Sequence, residues 1–595
     1  MNPTSEILER IYNSSKEHPD GVFTRLYRYL LREDIYFMAY QKLYANKGSV
    51  TKGTDNDTAD GFGVDYVKCL IDELNNGTYI PRPVRREYIK KSNGKLRPLG
   101  IPSFRDKLLQ EAVRMILEAI YEPIFYDQSH GFRPKRSCHT ALMQISRDFR
   151  GVKWFIEGDI KGCFDNINHK VLISGIEDKI KDSKFVNVIR MFLKAGYIED
   201  FEYHGTISGT PQGGVISPML ANIYLHGLDR KVLELKEQFD IPQSRNRTPE
   251  YAYLRTKKDR LRKRIDSTVG AERDTLIGEY KLLTKELLKV PSKIEDDKKL
   301  VYCRYADDFL IGISGSRIDC DSIKATLKQF LLEEYSLELS DEKTKITHSS
   351  ERVRFLGYDV AVRRSQVVKK DKNGVRKRTL NHSVELTVPL EDKVTQYLFK
   401  NEIVEQKDDG TLWPVSVPKL RHCPELSIVR RYDAQIRGIC NYYRLAVNYN
   451  KLAYFRYLME YSCLKTLASK HNSTMRKMRR KYNLPDGWGV PYYTKDGEKI
   501  ARLSNLAVCR NGKFCDDIDP WVFKPLRKRD LTIWNRLSLC QCELCGTHSE
   551  HVKVYHAGNM KSLNPNTNWG YLMISIRRKT LVVCEKCYDL IKSGT

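Results

Sequence analysis

Val301-Tyr302-Cys303-Arg304-Tyr305-Ala306-Asp307-Asp308-Phe309-Leu310-Ile311-Gly312-Ile313 places two adjacent carboxylates between two apolar, β-prone runs. The pattern predicts strand, tight turn, strand. A plain hairpin turn favours Asp-Gly or Asn-Gly, which tolerate positive φ. Here two like charges meet with no partner in the local sequence. An isolated Asp-Asp is ordinarily a solvated turn, but a Tyr-Ala-Asp-Asp tip between apolar strands points to a divalent cation held by oxygen ligands. A third carboxylate ends another apolar strand, Trp154-Phe155-Ile156-Glu157-Gly158-Asp159. Alone, an Asp there more often caps a helix or a turn. Together, Asp159, Asp307 and Asp308 on adjacent strands can hold two Mg²⁺ roughly 3.5–4 Å apart, an arrangement that stabilises the attacking and leaving oxygens of phosphoryl transfer.

The chain around this stretch has 595 residues, too many for one core, and a formal net charge of +27. So large a positive charge implies a polyanionic partner, through phosphate neutralisation and counterion release. A basic face for anionic lipid competes, but no apolar run is long enough to span a bilayer. The first twenty residues have neither an apolar signal core nor the acid-free composition of a transit segment. The expectation is a cytoplasmic protein that uses no membrane. Fifteen cysteines, scattered except for one cluster near the C-terminus, argue against a disulfide framework. Cys69, Cys303 and Cys463 read as small core hydrophobes.

Residues 21–45 have helical periodicity with Arg and Tyr interleaved. Arg85 to Pro102 reads as a hairpin turning at Asn93-Gly94 with cations on both arms. It suits a polyphosphate clamp and, equally, a charged edge that resists aggregation. Residues 107–126 predict a helix, followed by a compact turn at Ser129-His130-Gly131-Phe132-Arg133-Pro134. The Pro211-Gln212-Gly213-Gly214 turn lets backbone approach a ligand, and Ser217-Pro218 opens a helix with a Ser cap. Residues 231–299 form an insertion rich in Lys, Arg and Glu, helical over 251–288. Residues 363–378 are basic, with a turn at Lys372-Asn373-Gly374, and 387–480 look helical. Tyr442, Tyr443, Arg444, Tyr449, Tyr454 and Tyr457 offer stacking and phosphate groups, with half or more of the tyrosines expected in the core. Ser473 to Lys481 is a dense cationic run, either solvated linker or nucleic-acid contact.

Arg97, Phe132-Arg133-Pro134, Asp159, Pro211-Gln212-Gly213, Tyr305-Ala306-Asp307-Asp308, Leu339-Ser340-Asp341-Glu342-Lys343-Thr344 and Phe355-Leu356-Gly357-Tyr358 follow the order of the reverse transcriptase blocks. Nearly end to end, the chain resembles the group II intron-encoded reverse transcriptase/maturase family. The resemblance implies a multidomain α+β fold. Residues 1–80 would be an N-terminal extension and the start of the fingers. Residues 81–362 would be right-hand fingers and palm, an antiparallel sheet with helices. Residues 363–480 would be a helical thumb, domain X, followed by a DNA-binding region at 481–538 and a zinc-stapled H-N-H-like module at 539–595.

The resemblance also implies RNA-directed DNA synthesis and maturase activity: binding group II intron RNA, assisting its splicing and copying it into cDNA during retrohoming, with target DNA bound by the C-terminal region. Asp159, Asp307 and Asp308 would carry two catalytic Mg²⁺. Lys91 and Arg97 would grip the dNTP triphosphate, Gln212 would contact the incoming nucleotide, and Phe164 would be the steric gate against a 2′-hydroxyl. Lys343 falls in the block proposed to protonate pyrophosphate. The implied setting is the bacterial cytoplasm, at the nucleoid when DNA is bound. Oligomeric state stays open, a dimer before RNA binding included. A splicing cofactor without polymerase chemistry, or a retron or CRISPR-associated reverse transcriptase, is the alternative.

Cys542-Glu543-Leu544-Cys545 and Cys584-Glu585-Lys586-Cys587 form two C-x₂-C clips suited to one structural Zn²⁺, with Cys540 a nearby spare. The family carries an H-N-H endonuclease between such clips. In Val554-Tyr555-His556, Tyr555 stands where a metal ligand is expected and His556 where the general base is. The tail after Cys587 holds no His, and His551 and Asn559 are off spacing. The expectation is a zinc-folded module with impaired or absent nicking.

Overall fold

The computed structural model describes residues 3–594 except 91–93, 95, 200–201, 207, 210–212, 242–247, 291–297, 366, 371–373, 375, 379–380, 486, 495–496 and 512–532. Lys91, Gln212, Lys372-Asn373 and much of the 481–538 region therefore lie outside the described residues.

A four-stranded sheet organises the chain, in the order Lys299–Tyr305, Asp308–Ser314, Trp154–Asp159, Ile346–His348. Alternate side chains feed two different cores. Leu300, Tyr302, Phe309, Ile311, Ile313 and Ile156 join one; Val301, Cys303, Leu310 and Phe155 join the other. Burial on both faces explains why these strands read as nearly continuous apolar runs. Gly158 makes room for a ring here: a Cβ would lie 2.0 Å from Phe309.

The first core is built largely from helices, including Phe104–Tyr121, which is buried on nearly all sides, and Ser217–Phe239. Beside it, strands Val84–Lys90 and Leu96–Ile101 pair antiparallel, and Val84–Lys90 pairs in parallel with Tyr197–Glu199. The basic hairpin is thus tied into a sheet through Val84–Lys90, while Leu96–Ile101 is its edge strand. The second core holds the strands Val353–Phe355, Tyr358–Val362 and Val384–Thr387 and the paired helices Glu425–Tyr442 and Leu452–Lys470. Residues 249–287 form a helical hairpin, Pro249–Ser267 and Ala271–Leu287, with its own small core of Leu261, Leu276 and Leu283.

The C-terminal module has strands Val552–His556 and Thr580–Cys584 and helices Asn568–Ile576 and Glu585–Ser593. Its sheet gains a third strand, Phe62–Gly63, from the other end of the chain. Among the described residues, no helix is long and apolar enough to cross a membrane.

Several sequence expectations need correction. Residues 387–424 are not helical overall: strands Val404–Gln406 and Leu412–Pro414 pair there. Pro389, Gly410, Pro414, Pro418 and Pro424 interrupt any longer helix. The helix expected over 21–45 breaks into Tyr27–Leu30 and Glu33–Leu43, because Arg32 is extended at φ −101° and ψ 135°. The helix expected at 107–126 begins earlier, where the Ser103 side chain accepts from Asp106 N, and ends at Tyr121. The helix Ser217–Phe239 runs past the expected start of the insertion, and its cap position is Ile216, not a Ser cap. Cys69 is exposed, on the outer face of a helix whose Val67, Leu70 and Leu74 are buried.

Candidate active site

Asp159 and Asp308 sit directly opposite each other across an antiparallel strand pair. Tyr305 pairs with Asp308 across the hairpin, leaving Ala306-Asp307 as a two-residue turn. Ala306 adopts φ 59°, a left-handed conformation that an L side chain occupies only when its surroundings enforce it. The surroundings are specific. Arg304 Nη1 donates to Ala306 O at 2.8 Å and to Asn222 Oδ1 at 3.2 Å. Asn222 Nδ2 in turn donates to Gly131 O at 2.8 Å. Gly131 lies so close that a Cβ there would be 2.3 Å from Ala306 N. Arg304 is anchored by Asp229, with Nε and Nη2 bonds of 2.7 and 2.6 Å, and Tyr302 OH adds a 2.8 Å bond to Asp229. Ser129 Oγ accepts from Arg304 Nη2 at 2.8 Å.

The three carboxylates crowd one end of the sheet. Asp308 faces solvent, yet the close cleft walls, then Asp307, then Asp159 push its carboxyl up to about 6. Asp307 is also raised, first by partial burial, with Asp159 adding to the effect and nearby Arg97 opposing it. Lys343 Nζ donates to Asp159 Oδ2 at 2.8 Å, and that bond raises the Lys343 ammonium. Repulsion partly answered by a lysine is the electrostatic signature of a site with room for added positive charge.

The neighbouring predicted residues approach from two sides. Phe164, in the short helix Cys163–Asn166, is half-buried against the first core. Arg97 projects from the basic hairpin, opposite Ile89. Gly209 and Gly213 pack against the two sides: a Cβ on Gly209 would lie 2.9 Å from Phe164 O, and one on Gly213 would lie 2.6 Å from Gly100 O. The Arg133 guanidinium is not part of the cleft. It is buried against Glu122 at 3.0 Å and braces the turn from behind.

Sequence reasoning missed the Arg304, Asp229, Asn222 and Gly131 scaffold. The signal was available: Arg304 is a charge inside an apolar strand, and Asn222 and Asp229 lie on a mostly apolar helix. A buried charge demands a buried partner.

At the C-terminus, the sulfur atoms of Cys542, Cys545, Cys584 and Cys587 all lie within 4.8 Å of one another. Cys545 and Cys584 Sγ are 3.8 Å apart, and hydrogen bonds from Thr547 lower the Cys545 thiol to about 6. Cys540 does not join this group among the described residues. His556 is only 6% exposed, and burial lowers its imidazole pKa. Its Nε2 lies 3.1 Å from Tyr44 O. The expected nuclease base is therefore turned into a packed interface and away from solvent.

Comparison with known proteins accords with this architecture. A family model described as reverse transcriptase (RNA-dependent DNA polymerase) matches residues 89–243 and 280–360. One described as type II intron maturase matches 381–507, and an AI2M/AI1M-like HNH endonuclease model matches 542–588. The group II intron-encoded protein LtrA of Lactococcus lactis subsp. cremoris is 51% identical over 595 residues, covering 99% of both chains. The chain belongs to the group II intron-encoded protein family. More distant relatives include an uncharacterized 91 kDa protein in the cob intron of Schizosaccharomyces pombe, 35% identical over 98% of this chain and 71% of that one. A putative COX1/OXI3 intron 2 protein of Saccharomyces cerevisiae is 32% identical over 99% of this chain and 68% of its own length. In this group II intron-encoded protein, the reverse transcriptase match spans all three aspartates, Arg97, Phe164 and Lys343.

Proposed function

We propose that this group II intron-encoded protein is an RNA-directed DNA polymerase and maturase that binds its intron RNA, assists splicing and copies the RNA into cDNA during retrohoming. The observation that carries the reading is the meeting of Asp159, Asp307 and Asp308 at one end of a doubly buried sheet, in a chain half identical to LtrA along its length. The three carboxylates would hold Mg²⁺, which supplies Lewis-acid stabilisation of the attacking and leaving oxygens when bound. The protein's own residues position the reactants. Arg97 and Lys91 hold the triphosphate of the incoming dNTP, and Gln212 contacts that nucleotide. The Phe164 ring closes the space a 2′-hydroxyl would need, and Lys343 is placed to deliver a proton towards departing pyrophosphate.

In this reading the sheets and helices of 81–362 are the fingers and palm, with 1–80 extending the fingers. The helical unit within 363–480 is the thumb, and 481–538 contacts target DNA. Tyr454 and Tyr457, exposed and stacked at 6.2 Å on one helix, fit base stacking, whereas Tyr443 and Tyr449 are buried in the core. The four thiolates would hold Zn²⁺: tetrahedral coordination with bonds of about 2.3 Å spaces sulfurs about 3.8 Å apart. Without the metal-ligating His residues of an H-N-H centre, the module nicks DNA weakly or not at all. The chain works in the bacterial cytoplasm, bound to RNA and then to DNA.

Asp307→Ala tests the reading. It should abolish cDNA synthesis while leaving intron RNA binding and splicing assistance intact. Loss of splicing by a folded Asp307→Ala protein would overturn that separation. A Mg²⁺-dependent nicking assay tests the module: robust bottom-strand cleavage that persists in His556→Ala would refute its assignment as degenerate.

A further inference from the structure

Tyr555 stands where a nuclease metal ligand is expected, and the tail after Cys587, which opens with Tyr588, holds no His. The Tyr588 phenol hydrogen bonds to Asp60, a carboxylate from the opposite end of the chain, and burial first, then Asp60, raises the pKa of Tyr588 and Tyr555. The same carboxylate accepts from His556 N at 2.9 Å and pairs with Lys592. Its side chain is 12% exposed.

The backbone around Asp60 is fitted just as closely. Gly61 N donates to Val554 O at 2.9 Å, and Phe62 and Gly63 pair with Val554 and Lys553. Gly61 has φ 82°, and a Cβ there would lie 3.1 Å from the Tyr588 hydroxyl. A Cβ on Gly63 would lie 2.7 Å from Val552 O. Side chains extend the contact. Phe62 stacks on Tyr40 at 4.0 Å, Trp534 packs on Phe37 at 4.5 Å, and His551 Nδ1 lies 2.9 Å from Asp65 Oδ2. Val552, Val554 and Val582 belong to the same continuous core as Phe62 and Tyr40.

We infer that this face of the C-terminal module is the receptor for the chain's own Asp60–Gly63 segment, with the Asp60 carboxylate seated against the residues where an H-N-H centre is expected, His556 and Tyr588. The inference rests on the degenerate reading of the module and deepens it. The Tyr588 phenol, Lys592 and the His556 backbone N–H together form a carboxylate pocket. An added strand supplies the remaining affinity through main-chain hydrogen bonds, while glycine at 63 permits the close approach. The occupant is an acidic turn plus a short strand. DNA, itself polyanionic, would have to displace a carboxylate of like sign.

Hydrogen exchange on the intact, zinc-loaded protein tests this. Amides of residues 60–63 and 552–556 should be protected together. Gly63→Val and Asp60→Lys should each speed their exchange at least roughly tenfold, a local opening that leaves the amides of 301–311 unchanged. Asp60→Asn, which keeps an acceptor for His556 N–H, should open the contact less. Free-rate exchange at 60–63 in the unaltered protein would overturn the inference. So would unchanged protection at 552–556 in a folded Gly63→Val protein. The nicking assay reads separately: cleavage by the unaltered protein would refute the degenerate reading, whatever the exchange shows.

Discussion

Arg304 and Asp229, each with a fully buried side chain, bond at 2.6 Å beneath the turn that carries Asp307. The pair does more than neutralise itself, because the same guanidinium donates to the turn carbonyl at Ala306. Arg304→Met would strand the Asp229 carboxylate in an apolar interior, at a cost of about 3–5 kcal/mol. Chemical denaturation should show that loss, and Arg304→Met combined with Asp229→Leu should recover much of it. Polymerase activity should not recover with stability in the double variant, since Ala306 O still lacks its donor.

Gly131→Ala makes a narrower test of the turn. The new methyl would displace Ala306 by steric contact, and a shift of about 1 Å at a catalytic group can cost roughly 100-fold in rate. We expect kcat for dNTP incorporation to fall by that order while intron RNA affinity stays unchanged.

The raised Asp308 carboxyl sets a pH dependence. Its pKa of about 6 lies above the ordinary carboxylate value, so the folded site takes up a proton as pH falls through 6. By linkage the metal-free fold gains stability from this group on acidification and loses it again as pH rises. Mg²⁺ held by these carboxylates would replace that proton. The Mg²⁺-induced rise in Tm should therefore be largest above pH 7, shrink as pH falls through about 6, and be much reduced in Asp308→Asn. Calorimetry across pH 5–8 would measure it.

Phe164→Val should open the space beside the incoming sugar. The ratio of kcat/KM for dNTP over rNTP should fall by roughly tenfold or more, about 1.4 kcal/mol of discrimination. Single-nucleotide incorporation with paired dNTP and rNTP substrates reads it directly.

Zinc removal should act locally. A strong chelator should release one metal ion per chain, expose Val552–His556 and Thr580–Cys584 to exchange, and leave Asp159 and its sheet protected, because the four thiolates are confined to the module.

The hairpin that carries Asp307 and Asp308 was legible because its signal is local: two apolar runs and a two-residue tip. The Cys clips were legible for the same reason, their ligands being close in sequence. What escaped was long-range. The Asp229 partner of Arg304 lies on a helix elsewhere in the chain, and nothing in residues 60–63 announces that they complete the C-terminal sheet. Helix boundaries shifted where a single extended residue or a proline outweighed periodicity, as at Arg32 and across 387–424. The buried imidazole of His556 was unreadable because its partner, the Tyr44 carbonyl, carries no side-chain signature.

The strand pairing of Gly63 with Lys553 has a consequence for biosynthesis. A ribosome adding 5–20 residues per second needs roughly 25–100 s to travel between those positions. Through that interval the Phe62–Gly63 strand has no partner, and a chain cut short by a premature stop never gains one. Completion of the fold at the N-terminus therefore reports that the message was read past the strand Val552–His556.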